Sequence, residues 1–399
     1  MGNPIRRAVE SDLPMHEPLR SSIYDEHNRL LLKQGFVITI PGFAQRLLQR
    51  GCYVRDSDDP AENSENPVDG KSQEVPASEK KYSRVNIYPD KPRDSVFLRS
   101  GELAISIRRI QKLLREVPSG RVVFQDFVRE CANELLDLIE EDRDAVLAAA
   151  YLTNDVRDTR VNQQLLGAIV AVLIAPQCEL SADKLLSLVC AALTRDVALQ
   201  VFDKNYATVN KLSDSAMATV REHPIAAVKL LLQHGVNDRD WLTYVTEHHE
   251  RPDGSGYPHG KKEGVIQPAS LLLGLADAYA GMVLANPRRP GMFPANVMKE
   301  IYLGKGRCYR ENHVVFLLKT LTRFPAGTLV SLVNGEIGVI RNPHPSQGQP
   351  QVYSLYNPEG LLRSSPIVRD SSLDEFKIAG CVAPEKCKSA ELVIRRIWH

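Results

Sequence analysis

Residues 247–258 read EHHERPDGSGYP, two adjacent histidines between acids that run directly into a glycine-rich turn. The chain has ten histidines, and five of them (His223, His234, His248, His249 and His259) fall within residues 223–259. Neutral imidazole is the commonest protein ligand for transition metals, so this clustering points to a bound metal. Read alone, His223 in ATVREHP is an ordinary helical histidine ahead of Pro224, but the nearby pair gives it a second reading as a ligand. His16, His27, His313, His344 and His399 have no partner pattern.

These side chains need elements to hold them. In WLTYVTEHHE the apolar residues Trp241, Leu242 and Val245 predict a helix whose last turn carries His248 and His249, about 100° apart. Either a metal lying between helices needs both, or their adjacency is a coincidence. RPDGSGYP must leave the helix, because Gly254 and Gly256 permit positive φ and Pro258 ends any regular ladder. Around this stretch, residues 96–325 carry apolar positions recurring at three and four, as in LAISIRRIQKLLREV and QQLLGAIVAVLIA, which predicts an all-α bundle.

The flanks differ. Within residues 1–55, two β-prone runs around the turn-like DEHN at residues 25–28 predict a hairpin, and GFAQRLLQRG predicts a short helix stopping at Gly51. Together they make a small α/β module. Residues 56–95 open with a polar stretch rich in proline and acids, and are read as a flexible linker. In residues 326–399, Asn334-Gly335 between short alternating runs predicts a hairpin in a small β-rich region. The fold class is therefore mainly α, a helical bundle between two small modules.

Composition narrows the function. Lys plus Arg number 50 against 49 Asp plus Glu, so the polyelectrolyte footprint of a nucleic-acid binder is missing. Seven cysteines lack any CxxC pair, which favours a reducing compartment. The N-terminus has no apolar core for a signal peptide and no window reaches ~18 uncharged apolar residues, so a cytoplasmic protein without a membrane span is expected. EEDRD at residues 140–144 reads as a solvated helix end, and residues 102–117 as a core-facing or dimerising helix, which leaves a homodimer open.

The order of Asp196, EHP with His223, EHHERPDGSGYP and LADAYA with Asp277 resembles an HD-GYP domain over roughly residues 150–322. That family is a branch of the HD metallohydrolases and cleaves the bacterial messenger cyclic di-GMP. The N-terminal hairpin module and FPAGTLVSLVNGEIGV also resemble parts that flank some members. The resemblance implies an HD-type bundle holding two or three metals, often iron, with Asp196 as the bridging acid. It makes His223, His248 and His249 ligands of one metal, puts Asp277 on another, and gives Asp196 and Asp277 catalytic positions. The departures are specific. The family's HDxxK stands here as Arg195-Asp196-Val197-Ala198-Leu199, and its upstream helical histidine falls where Asn162 or Gln163 stands.

Three imidazoles and one carboxylate are a reasonable donor set for one divalent transition metal, iron or manganese, with zinc as the alternative. The other metal loses two imidazoles and meets the permanent charge of Arg195, which repels a divalent ion at bonding distance. Arg195 is instead expected to contact a phosphate of the ligand, helped by Arg289, while Asn286 replaces an expected arginine. Losing one preorganised charge-stabilising donor costs about a hundred- to a thousand-fold in turnover. Two readings stay open: a degenerate protein acting by binding cyclic di-GMP or a partner, and a working phosphodiesterase with an altered centre. Asp253, Gly254, Gly256, Tyr257 and Pro258 form either a packed loop or a contact surface for diguanylate cyclase (GGDEF) domains. In the second case a metal on the histidines is expected to preorganise the loop.

Overall fold

The computed structural model describes residues 5–14, 19–24, 30–32, 51–55, 95–116, 123–152, 159–202, 214–286, 289–342 and 349–398, together with Glu17, Gln34 and Leu48. The chain divides into two compact units, residues 1–93 and 94–399.

The first unit contains a four-stranded antiparallel sheet of β1 (Ile5–Arg7), β2 (Ile23–Tyr24), β3 (Leu30–Leu32) and β4 (Tyr53–Arg55), in the order β1-β4-β2-β3. β2 and β3 pair as the expected hairpin, with Ile23 opposite Leu32. Ala8, Leu13, Leu19, Ile23, Cys52 and Val54 form its core. The turn at residues 25–28, the short helix apart from Leu48, and the linker up to residue 94 lie outside the described residues.

The second unit opens with the helices α1 (Val96–Glu116), α2 (Val123–Leu152), α3 (Thr159–Ile174), α4 (Ala182–Thr194) and the short α5 (Val197–Phe202). After them come α6 (Asp214–Gln233), α7 (Arg239–Glu247), α8 (Pro268–Val283), α9 (Pro294–Leu303) and α10 (Glu311–Leu321). The acidic run read as a solvated helix end is a kink within α2. Asp142 leaves helical dihedrals (φ −154°, ψ 90°), and its carboxylate accepts the backbone N–H groups of Asp144 and Ala145, as an N-cap does.

α3 is the central helix. Residues 159–178 are long and apolar enough to cross a membrane, yet 78% of that stretch is buried inside the unit, so its hydrophobicity serves the core. The C-terminal region forms an antiparallel sheet of β5 (Leu329–Leu332), β6 (Ile337–Asn342), β7 (Gln351–Tyr356), β8 (Leu362–Asp370) and β9 (Ile378–Cys381), in the order β8-β7-β6-β5-β9. Asn334-Gly335 makes the β5–β6 turn, with Gly335 at φ +90° where a side chain would be strained. Val339, Leu355 and Trp398 belong to the same apolar core as the helices, and Trp398 stacks on Phe97 at 5.3 Å.

One junction sets the site. Asp238 caps α7 by accepting from Trp241 N at 3.0 Å, and its other oxygen accepts from Ser187 Oγ of α4 and Arg129 of α2. Trp241, fully buried, donates its indole N–H to Thr194 Oγ1 at 2.8 Å. The helix that ends at the histidine pair is thus fastened to the residue preceding Arg195-Asp196. Trp241→Ala is expected to destabilise this unit by about 3–5 kcal/mol, read by chemical denaturation.

Candidate metal centre

His223, His248 and His249 converge, with one ring nitrogen from each within 4.8 Å of the others. His223 projects from α6, while His248 and His249 lie just past α7, which ends at Glu247 rather than running through the pair. The chain turns there because the His249 carbonyl accepts Tyr257 N, 3.1 Å away, and so joins the loop.

Tautomers follow from the outer nitrogens. His223 Nδ1 lies 2.5 Å from Val220 O and His248 Nδ1 lies 2.7 Å from Val245 O, so each must carry a proton and donate it. Both Nε2 atoms then present lone pairs, and these face each other at 3.3 Å. Two lone pairs so close repel unless a cation lies between them. The three imidazoles fit one divalent transition metal, and Asp196 Oδ1 sits beside them, 3.5 Å from His223 Nε2. Burial, assisted by the neighbouring His223, pushes the His248 imidazole down to about 4 and, with His248 beside it, His249 well below its ordinary value. Both rings are therefore neutral near pH 7, the form that binds metals.

The second half of the centre is closed. Arg195 is fully buried, and Asp277 Oδ1 accepts from its Nε at 3.1 Å and its Nη2 at 2.7 Å. Arg195 also donates to the carbonyls of Ala192 (2.6 Å), Gln163 (3.1 Å) and Gln164 (3.5 Å). Of the two alternatives at the upstream position, Gln163 reaches the site, donating Nε2 to the same Asp277 oxygen at 3.0 Å. Burial opposes the charge on both partners, but each sustains the other: Asp277 stays well below the usual carboxylate range and Arg195 is raised. The donors of Arg195 are thus all engaged inside the protein in this structure. Asp277 likewise has one oxygen saturated by three N–H groups.

Arg289 is also directed elsewhere. Its guanidinium donates to the carbonyls of Met282, Pro290 and Gly281 and closes the turn after α8 instead of reaching toward a ligand.

The loop has anchors of its own. Glu250, 4% exposed, accepts from His259 N and Lys261 N at 2.7 and 2.8 Å. Glu247, 2% exposed, accepts from Lys261 Nζ, Gln267 N and Ser270 Oγ. Asp253 holds the N–H and hydroxyl of Ser255, and Gly254 adopts φ +82°. A β-carbon on Gly256 would lie 2.5 Å from His249 O, so only glycine lets the loop close this tightly. The half-buried Tyr257 lays its ring on His249, 4.6 Å between centroids, with Pro258 next to it. Carboxylates and glycines therefore hold the loop. Neither acid has a visible task in the sequence, where their placement on either side of the HH pair is the one signal.

Residues 147–310 match the family described as HD domain. Among curated proteins the chain is similar to cyclic di-GMP phosphodiesterase PA4108 of Pseudomonas aeruginosa, 23% identical over 236 residues, covering 59% of this chain and 56% of the relative. It is also similar to cyclic di-GMP phosphodiesterase response regulator RpfG of Xanthomonas campestris, 27% identical over 154 residues, covering 38% and 40%. Residues 147–310 thus carry an HD domain. The chain spans about half the length of these two relatives. A solved HD-GYP structure, Bd1817, a HDG"Y"P protein from Bdellovibrio bacteriovorus, superposes with a TM-score of 0.49 at 14% identity, over 79% of this chain and 99% of that one.

Two outcomes are expected of this centre. Arg195→Ala should cost about 3–5 kcal/mol, because it strands the buried Asp277 carboxylate, and adding Asp277→Asn should recover part of the loss in denaturant melts. Elemental analysis should find about one equivalent of transition metal per chain, and His249→Ala should remove most of it.

Proposed function

We propose that this chain is a cyclic di-GMP signalling protein that holds one metal and hydrolyses its ligand little or not at all, acting by binding the dinucleotide or a partner domain. The observation that carries this reading is the Arg195–Asp277 pair, which closes the place where a second metal would need ligands. Two-metal phosphodiester chemistry divides attack and departure between the ions, so one ion leaves half of that work unassisted.

In this reading His223, His248, His249 and Asp196 hold iron or manganese, with zinc as the alternative, and that ion supplies Lewis-acid chemistry toward a phosphoryl oxygen. Tyr257 covers His249 and narrows the approach to it. Arg195 keeps Asp277 ionised and fixed, so Asp277 serves the architecture more than proton transfer. The partner we favour is a diguanylate cyclase (GGDEF) domain meeting the Asp253–Pro258 loop, with self-association as a homodimer and a cytoplasmic setting consistent with seven free thiols.

A competing reading, an active phosphodiesterase with an altered centre, draws on the intact histidine trio. The two are separated by loading the protein anaerobically with iron or manganese, titrating cyclic di-GMP by calorimetry, and assaying product. Binding with turnover absent, or at least a hundred-fold below that of a family enzyme with the full ligand set, is expected. Ordinary turnover abolished by Asp196→Ala would install the competing reading.

A further inference from the structure

We infer that Pro224 is a positioning residue for the metal centre: by lacking an N–H it leaves the Val220 carbonyl to the imidazole of His223, which fixes that ring in the tautomer able to bind metal. The inference rests on the reading of His223 as a ligand.

α6 runs from Asp214 to Gln233 with Pro224 in its interior, where proline is normally the least favoured residue. In a regular helix the carbonyl of residue 220 accepts the N–H of residue 224. Proline has none, so Val220 O loses that partner. His223 Nδ1 lies 2.5 Å from this same oxygen. The proton on Nδ1 places the lone pair on Nε2, which faces His248 Nε2 at 3.3 Å and Asp196 Oδ1 at 3.5 Å. A second histidine follows the same logic. His248 Nδ1 donates to Val245 O in the last turn of α7, where carbonyls run out of intrahelical donors. One helix frees its carbonyl by ending and the other by carrying a proline.

Replacing Pro224 by alanine restores a competing N–H. Val220 O would then be shared with the backbone, and His223 would be released to rotate or to take the other tautomer. Helix propensity and site geometry thus pull in opposite directions, which distinguishes positioning from simple structural support.

The test uses the full chain, stripped with chelator and titrated with Co(II), whose visible absorption reports histidine ligation, together with 15N spectra of histidine-labelled apoprotein. Wild-type apoprotein should show His223 protonated on Nδ1. Pro224→Ala should melt at the same or a higher temperature, show a mixed or switched His223 tautomer, and bind Co(II) at least tenfold more weakly. Co(II) affinity within twofold of wild type, or a wild-type His223 protonated on Nε2, would overturn the inference. Pro224→Ala that melts lower and loses Co(II) while keeping the Nδ1–H tautomer would also overturn it, as the proline would then be structural only. Wild type that takes up no Co(II) would overturn the metal reading, and the apoprotein spectra would still decide the role of Pro224.

Discussion

A guanidinium buried against a carboxylate is the constraint around which this centre is arranged. Removing both charges from water is costly, and their attraction repays that cost only with close geometry and satisfied remaining donors. Arg195 meets both conditions: Asp277 takes two of its N–H groups, and helix carbonyls take the others. The pair also ties α8, which carries Asp277, to the α4–α5 junction and, through Gln163, to α3. What could have been an exchangeable cation is built into the covalent chain. In the function proposed above, a metal would fall to the histidine side, and Asp196 stands between the two halves, 3.6 Å from Arg195 Nε and 3.5 Å from His223 Nε2.

The loop after the histidines shows a similar preference for internal supports. Glu247 and Glu250 bracket the pair and hold the returning chain by its backbone N–H groups. Gly274 of α8 lets that helix press on the His248 peptide, as its β-carbon would lie 2.4 Å from His248 O. A site held by backbone contacts on both sides is preorganised, so little ordering entropy is left for a ligand to supply.

Much of this was legible in the sequence. Apolar periodicity located the helices, Asn334-Gly335 located a hairpin, and the clustered histidines located the centre, because each rests on local spacing. Arg195 was visible as the wrong residue for a metal ligand, but the direction of its side chain was not. Whether it faces a ligand or the interior depends on Gln163, Gly167 and Asp277, which lie far apart in sequence. The choice between Asn162 and Gln163 was lost for the same reason, since one step along a helix turns a side chain by about 100°. The roles of Glu247 and Glu250 escaped because an acid near a loop ordinarily reads as solvated.

Gly167 carries a further consequence. A β-carbon there would come within 2.9 Å of Arg195 Nη2, and the bonds that pin the guanidinium prevent it from yielding. The arginine is accommodated only over a glycine, while loss of the arginine leaves Asp277 without its counter-charge. Neither position can drift alone. Such mutual dependence makes Gly167, Arg195 and Asp277 a single unit, in which a change at one position is felt at the other two.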